Sequence, residues 1–168
     1  MPYTYKDVGA TREDRCPPGF HRMHVRTRIG EGEAVFRRAS EALMTWEMHR
    51  EMSGVSITSD ADKAAPGVDV IVGLGPLKAP CRVVWTVEEY RRTAWAYGTL
   101  TGHPECGEEA FEITRTGDGT VWLTITAFSR GAKWYSRAGG PATRGLQHAY
   151  AQRCGKVLRR LCAPFEPV

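Results

Sequence analysis

The sequence predicts an α+β domain: a curved antiparallel β-sheet wrapped around a long C-terminal helix, with an N-terminal helix after the first strand. Three observations carry this. Between residues 68 and 130, apolar and polar residues alternate in runs separated by short turn signals, the mark of consecutive antiparallel strands. Residues 21–52 form a strand pattern followed by a helix pattern. Finally, Leu146, Tyr150, Cys154, Val157, Leu158 and Leu161 make one apolar helical stripe. A sheet with one apolar face needs a cover, and the last helix is the natural one.

The elements follow in order. Residues 1–19 read as an N-terminal arm, because CPPGF (16–20) stops regular structure: its prolines fix φ and lack an amide donor. In HRMHVRTRI (21–29), Met23, Val25, Thr27 and Ile29 share one face, so this is a half-buried strand. Gly30 to Gly32 break it, and residues 33–52 read as one helix with Phe36, Ala39, Leu43 and Trp46 at helical spacing. Residues 53–67 suggest a short strand and a loop.

In the meander, VDVIVGL (68–74) groups Val68, Val70 and Val72, and GPLKAP (75–80) reads as a turn. CRVVWTVEEY (81–90) places Val83, Trp85 and Val87 on one face, and Arg91 and Arg92 sit near a short turn. Trp95 and Tyr97 then share a face. EEAFEITR (108–115) points Phe111 and Ile113 inward, TGDG (116–119) is a hairpin turn, and Val121, Leu123, Ile125 and Ala127 point inward from the last strand. Pro141 suits the first turn of the final helix, and Pro164 and Pro167 end it. Residues 20–168 are thus expected to form a single domain. The order of elements is that of the helix-grip architecture of START-like and Bet-v-one-like proteins, which often leaves a cavity between sheet and helix.

Composition narrows the function. The chain has 168 residues, 42% of them hydrophobic and 25% charged, as an ordinary globule requires. The net charge, 23 − 19 = +4, is small and dispersed, with no run of five basic residues, so no nucleic-acid partner is expected. No apolar stretch approaches the ~18 residues of a membrane helix, and the polar start is unlike a secretory signal. The expectation is a cytoplasmic protein with no membrane partner. The five cysteines are scattered and odd in number, against a disulfide framework. Cys16, His21 and His24 match no standard zinc spacing, GLGPLK (73–78) lacks the third dinucleotide glycine, and no P-loop or H-E-x-x-H occurs. No cofactor is expected.

AYGTLTGHPECGEEAF (96–111) concentrates a His, a Cys and three Glu between two strands. His103, Cys106, Glu108 and Glu109 include usable ligands, but no second cluster accompanies them, so no metal is expected. Strand parity turns Glu109 inward with Phe111, and Glu108 and Glu112 toward solvent. Trp95, Tyr97 and Thr99 face inward on the preceding strand. An inward Glu109 is either a general base of raised pKa or a structural acid bound to loop amides or to Arg144. His103, between Gly102 and Pro104, suits proton transfer or simply fixes the turn. Ser129 continues the inward face of its strand. FSRG is not a nucleophile elbow, which leaves Ser129 as a pocket hydroxyl. Trp85, Trp95 and Tyr97 suit an aromatic or apolar ligand, or fill the core. Trp134 is placed to cap one cavity mouth. Arg144 and Gln147, opening the last helix, would bind an anionic ligand group or hold the sheet edge.

GTLTGHPECGEEAF (98–111), TAFSR (126–130) and the Arg144–Gln147–Tyr150 spacing resemble domain-of-unknown-function family nineteen-ninety, found in bacteria and plants. The resemblance covers about residues 20 to 162, and Tyr97 to Phe111 match the family pattern throughout. It implies no particular reaction.

The leading reading is therefore a cavity between sheet and last helix that binds a small, largely apolar or aromatic metabolite. Its polar anchors would be Glu109, His103, Tyr97, Ser129 and Gln147, with Trp85, Trp95, Thr99, Phe111, Trp134, Arg144 and Tyr150 around the ligand. The rival is a cavity enzyme of cyclase, dehydratase or isomerase type, in which Glu109 or His103 takes the proton and Tyr97 polarises a carbonyl. A third reading is a protein-interaction module with a filled core. Arg91, Arg92 and the arm are candidate contacts for a homodimer.

Overall fold

A computed structural model describes residues 1–132 and 138–164. Seven antiparallel strands form one sheet in the order β1-β7-β6-β5-β4-β3-β2. They are β1 (His21–Glu31), β2 (Val55–Ser59), β3 (Asp69–Leu74), β4 (Leu77–Glu89), β5 (Arg92–Thr99), β6 (Glu105–Arg115) and β7 (Thr120–Gly131). Helices α1 (Glu33–Met44) and α2 (Glu47–Arg50) connect the two edge strands, and α3 (Gly140–Cys162) crosses the concave face. The expected helix-grip fold is what the chain adopts. Among the described residues, no helix is long and apolar enough to cross a membrane.

The concave face carries the main core. Val83, Trp95, Phe111, Leu123 and Ile125 of the sheet pack against Phe36 and Leu43 of α1 and Cys154 and Leu158 of α3. The buried residues of α3 (Ala151, Cys154, Gly155, Val157 and Leu158) all lie in its second half. Gly155 explains the close approach there: a Cβ on it would stand 2.6 Å from Thr27 Cγ2 of β1. The first half stands off the sheet.

Four expectations are corrected. The single helix over 33–52 breaks at Trp46, which takes φ 65°. That left-handed turn costs about 1–2 kcal/mol, offset by full burial of the indole against Trp95, 5.0 Å away, and by its Nε1–H donating to Ala61 O at 3.1 Å. The turn GPLKAP shrinks, because β4 already begins at Leu77. In β4 a register shift between Val83 and Trp85 inverts the side-chain alternation. Val83 therefore faces the core, and Trp85 packs on the opposite face with Ala94, Ala96 and Ala110. Glu108 does not face solvent, because the N-terminal arm covers it.

The arm folds back over the convex face, where Tyr5 and Ala10 pack with Cys106 and Phe128. Glu108 is its anchor. The carboxylate accepts from Tyr5 Oη at 2.6 Å, from Gly9 N at 2.8 Å and from Thr11 N at 3.1 Å, and the Thr11 hydroxyl donates as well. Trp85 Nε1 donates to the same hydroxyl at 3.0 Å. Gly107, at φ 153°, is required beside it, since a Cβ would lie 1.9 Å from Phe128 O. Arg92, a candidate dimer contact, pairs with Glu112 within the chain at 2.5 Å.

Candidate functional site

Where the first half of α3 stands off the sheet, a cavity of about 330 Å³ opens. Its walls are mainly apolar: Met23, Val72, Ala79 and Ala127 from the sheet, with Leu146 and Tyr150 from α3. The two alanines matter, because larger residues at either position would fill the space. Tyr97, Thr99, His103, Glu109, Ser129 and Gln147 add polar groups. Six of the expected site residues thus meet in one cavity, joined by Tyr150.

Glu109 is central. It sits on β6 opposite Tyr97 of β5 and Ala127 of β7. Its Oε1 is buried and has no hydrogen-bond partner among the described residues, and the Tyr150 hydroxyl is in the same condition. Buried polar groups in native proteins are nearly always paired, so two orphans in one cavity, one on the sheet and one on α3, are exceptional. Burial pushes the Glu109 carboxyl up to about 7. Burial, with the Glu109 charge adding to it, also holds Tyr97 and the thiols of Cys81 and Cys154 well above their ordinary values. Tyr150 is raised by burial, then by Cys154 and Glu109, with its nearness to Tyr97 working weakly the other way. At neutral pH the site therefore offers two phenolic donors and one carboxyl poised to take or give a proton.

Two of the lining residues are held by the backbone around them, and other expected residues lie elsewhere. His103 Nδ1 lies 2.9 Å from the Glu105 amide and 3.0 Å from the Glu105 carbonyl oxygen, so the ring is held by the backbone of one residue. Burial lowers its pKa to about 4, so it is a weak base that holds the β5–β6 turn. The Thr99 hydroxyl is engaged, accepting from Gly107 N at 3.0 Å and meeting Thr4 Oγ1 at 2.5 Å. Trp95 and Phe111 lie below the cavity floor, tilted at 37° to each other with centroids 4.7 Å apart, and Trp95 Nε1 donates to Leu43 O at 3.1 Å. Trp85 is on the wrong face, for the bulge noted above. Trp134 lies outside the described residues.

Gln147 Nε2 donates to Ser129 Oγ at 2.9 Å, tying α3 to β7 at the cavity mouth. Beyond them lies a polar depression of about 360 Å³ that also includes His21, Glu105, Arg130, Thr143 and Arg144. Arg144 reaches the His21 ring at 3.4 Å and so does not pair with Glu109. The sequence reading did not place Arg130 or His21 at the site. It also passed over His49, a fully buried imidazole of α2 lying 5.0 Å from Phe111 and 6.4 Å from Tyr150 between ring centroids. Its only signal was its place, three residues after Trp46, in a stretch read as a continuous helix.

The chain belongs to the family described as a domain of unknown function, DUF1990, whose model matches residues 4–157. A UPF0548 protein of Deinococcus radiodurans is 31% identical over 170 residues, spanning 94% of this chain and 86% of that protein. Among solved structures, the hypothetical protein jhp0584 from Helicobacter pylori aligns with a TM-score of 0.67 at 12% identity, over 97% of this chain and 100% of its own. A norcoclaurine synthase point mutant from Thalictrum flavum, in complex with a transition-state analogue, aligns with a TM-score of 0.59 at 12% identity, over 89% and 100%. These likenesses establish the Bet-v-one-like helix-grip fold.

Proposed function

We infer that the cavity binds a small, largely apolar metabolite whose polar end is received by Glu109, Tyr97 and Tyr150. One observation carries this: a mainly apolar cavity of about 330 Å³ in which a buried carboxyl oxygen and a buried phenol lack partners. The volume falls within the usual range for small-molecule sites, and a ligand hydroxyl, amine or carbonyl would satisfy the two orphans. A filled core, which the interaction-module reading requires, does not fit this cavity.

The test uses the neutral, fluorescent N-phenyl-1-naphthylamine. The wild type should bind it with one-to-one stoichiometry and a strong rise in emission. Ala127→Phe, which fills the cavity opposite Glu109, should lose at least about tenfold in affinity. Equal binding by both proteins would sink the reading.

A second reading is favoured by the Glu109 pKa near 7. A carboxyl so placed is suited to shuttle a proton on a bound carbonyl compound, with Tyr97 or Tyr150 donating to its oxygen. The fold supports both readings, since norcoclaurine synthase is an enzyme of this architecture. Incubating the wild type and Glu109→Gln in deuterated water with simple aromatic ketones separates them. Solvent deuterium exchange α to the carbonyl, lost in the variant, marks chemistry. Saturable binding without exchange marks a carrier.

A further inference from the structure

The mouth of the cavity has two unlike sides. Leu74 and Leu77 at the tip of the β3–β4 hairpin and Leu146 on α3 are 40%, 46% and 72% exposed, yet all three line the cavity. Opposite them, the polar depression carries Arg130, Arg144 and His21. Cavity and depression adjoin, since Glu105, Ser129, Thr143 and Gln147 line both.

The basic groups of this mouth are unusual in their company. Arg38, Arg82 and Arg92 each grip a carboxylate, at 2.7, 2.5 and 2.5 Å. Among the described residues, neither Arg130 nor Arg144 has an acidic partner. Arg130 lies over the Phe20 ring, 4.7 Å from its centroid, and Arg144 lies 3.4–3.5 Å from the ring nitrogens of His21. A ring nitrogen of His21 can accept from the Arg144 guanidinium, but an imidazole brings no negative charge, so the Arg144 charge has no carboxylate beside it. Glu105 is the acidic group of the same rim and does not pair with them; burial raises its pKa. At the inner end, a second carboxylate would meet Glu109, so an anionic ligand has one sensible orientation, head outward.

We propose that the ligand is an amphipathic anion, its apolar body in the cavity and its oxyanion head group on Arg144, Arg130 and His21. This rests on the cavity-binding reading above. It also defines the polar division of the ligand: an acidic group at the mouth and, one cavity length away, a hydrogen-bonding group at Glu109 and Tyr150.

The experiment is displacement of N-phenyl-1-naphthylamine by matched pairs: decanoate against decanol, and 2-naphthylacetate against 2-(2-naphthyl)ethanol. Decyl phosphate is the third alkyl probe. In the wild type at low salt, each carboxylate should bind at least about tenfold more tightly than its alcohol. That ratio should fall toward one in Arg130→Gln/Arg144→Gln. It should also shrink in the wild type between about 50 and 500 mM salt, a check that needs no variant. Whether decanoate or decyl phosphate binds more tightly identifies the head group, and either order supports the proposal. Equal binding of acid and alcohol would overturn the anionic head and leave the cavity reading standing. Failure of all five probes to displace the dye would overturn both.

Discussion

Glu109→Gln should change the pH dependence of stability in one direction and by a predictable amount. In the unfolded chain the carboxyl titrates at 4.5, and in the fold burial raises it to about 7. The folded state therefore holds a proton that the unfolded state has lost across that interval. Stability contributed by the neutral carboxyl is fully present below about pH 4.5 and is lost as the pH rises through about 7. The interval corresponds to about 3 kcal/mol, reached above pH 7.5. The amide of the variant cannot ionise. Any cost of leaving that amide unpaired is the same at every pH. Urea unfolding of the ligand-free wild type and variant at pH 4.5, 6, 7 and 8 gives the difference directly. The variant should gain about 2–3 kcal/mol on the wild type between the first and last, or about 5–10 °C in Tm for a chain of this size. Curves that stay parallel would show that Glu109 ionises freely, and the argument for a poised carboxyl would fail.

Three further outcomes are expected. Glu108→Gln leaves the arm's donors poorly matched around a buried site and should cost about 2–4 kcal/mol, with faster hydrogen exchange across residues 3–15. Gly155→Ala gains about 1 kcal/mol of helix propensity, but its Cβ would lie 2.6 Å from the stiff Thr27 side chain. The clash should win, giving a net loss of about 1–2 kcal/mol by chemical denaturation. His49 is buried with both ring nitrogens unpaired, and burial lowers its pKa from 6.5 to about 3. Its contribution is lost as the pH falls below 6.5, by about 2 kcal/mol at pH 5. His49→Phe should abolish that loss, seen as a Tm that rises relative to the wild type's as the pH falls from 6.5 to 5.

Much of this was legible in the sequence because alternation and helical spacing are local signals. Trp95, Tyr97, Phe111 and Glu109 fell on the inner face by parity alone, and α3 by its stripe. Parity fails where a strand inserts a residue, and the bulge after Val83 sent Trp85 to the other side with nothing in CRVVWTVEEY to announce it. Glu108 was misread for a different reason. Its partners lie about 100 residues away in an arm whose polar composition gave no hint that it would cover the sheet. The break at Trp46 came from tertiary burial of an indole overriding a good helical pattern. Whether an inward residue lines the cavity or fills the floor depends on how far α3 stands off the sheet. Gly155, which sets that distance at one end, carried no signal as a contact.

The central claim is that the space beneath α3 is a ligand site. Native mass spectrometry of the purified protein tests it most directly, with Ala127→Phe and Glu109→Gln beside it. The wild type should carry one small molecule, bound without a covalent link and absent from Ala127→Phe. If Glu109→Gln carries the same compound, the protein is a carrier. If it carries a chemically distinct precursor, Glu109 acts on it. A wild type that gives only the bare polypeptide mass, and still does so after incubation with a small-molecule extract of its host cells, would contradict the claim.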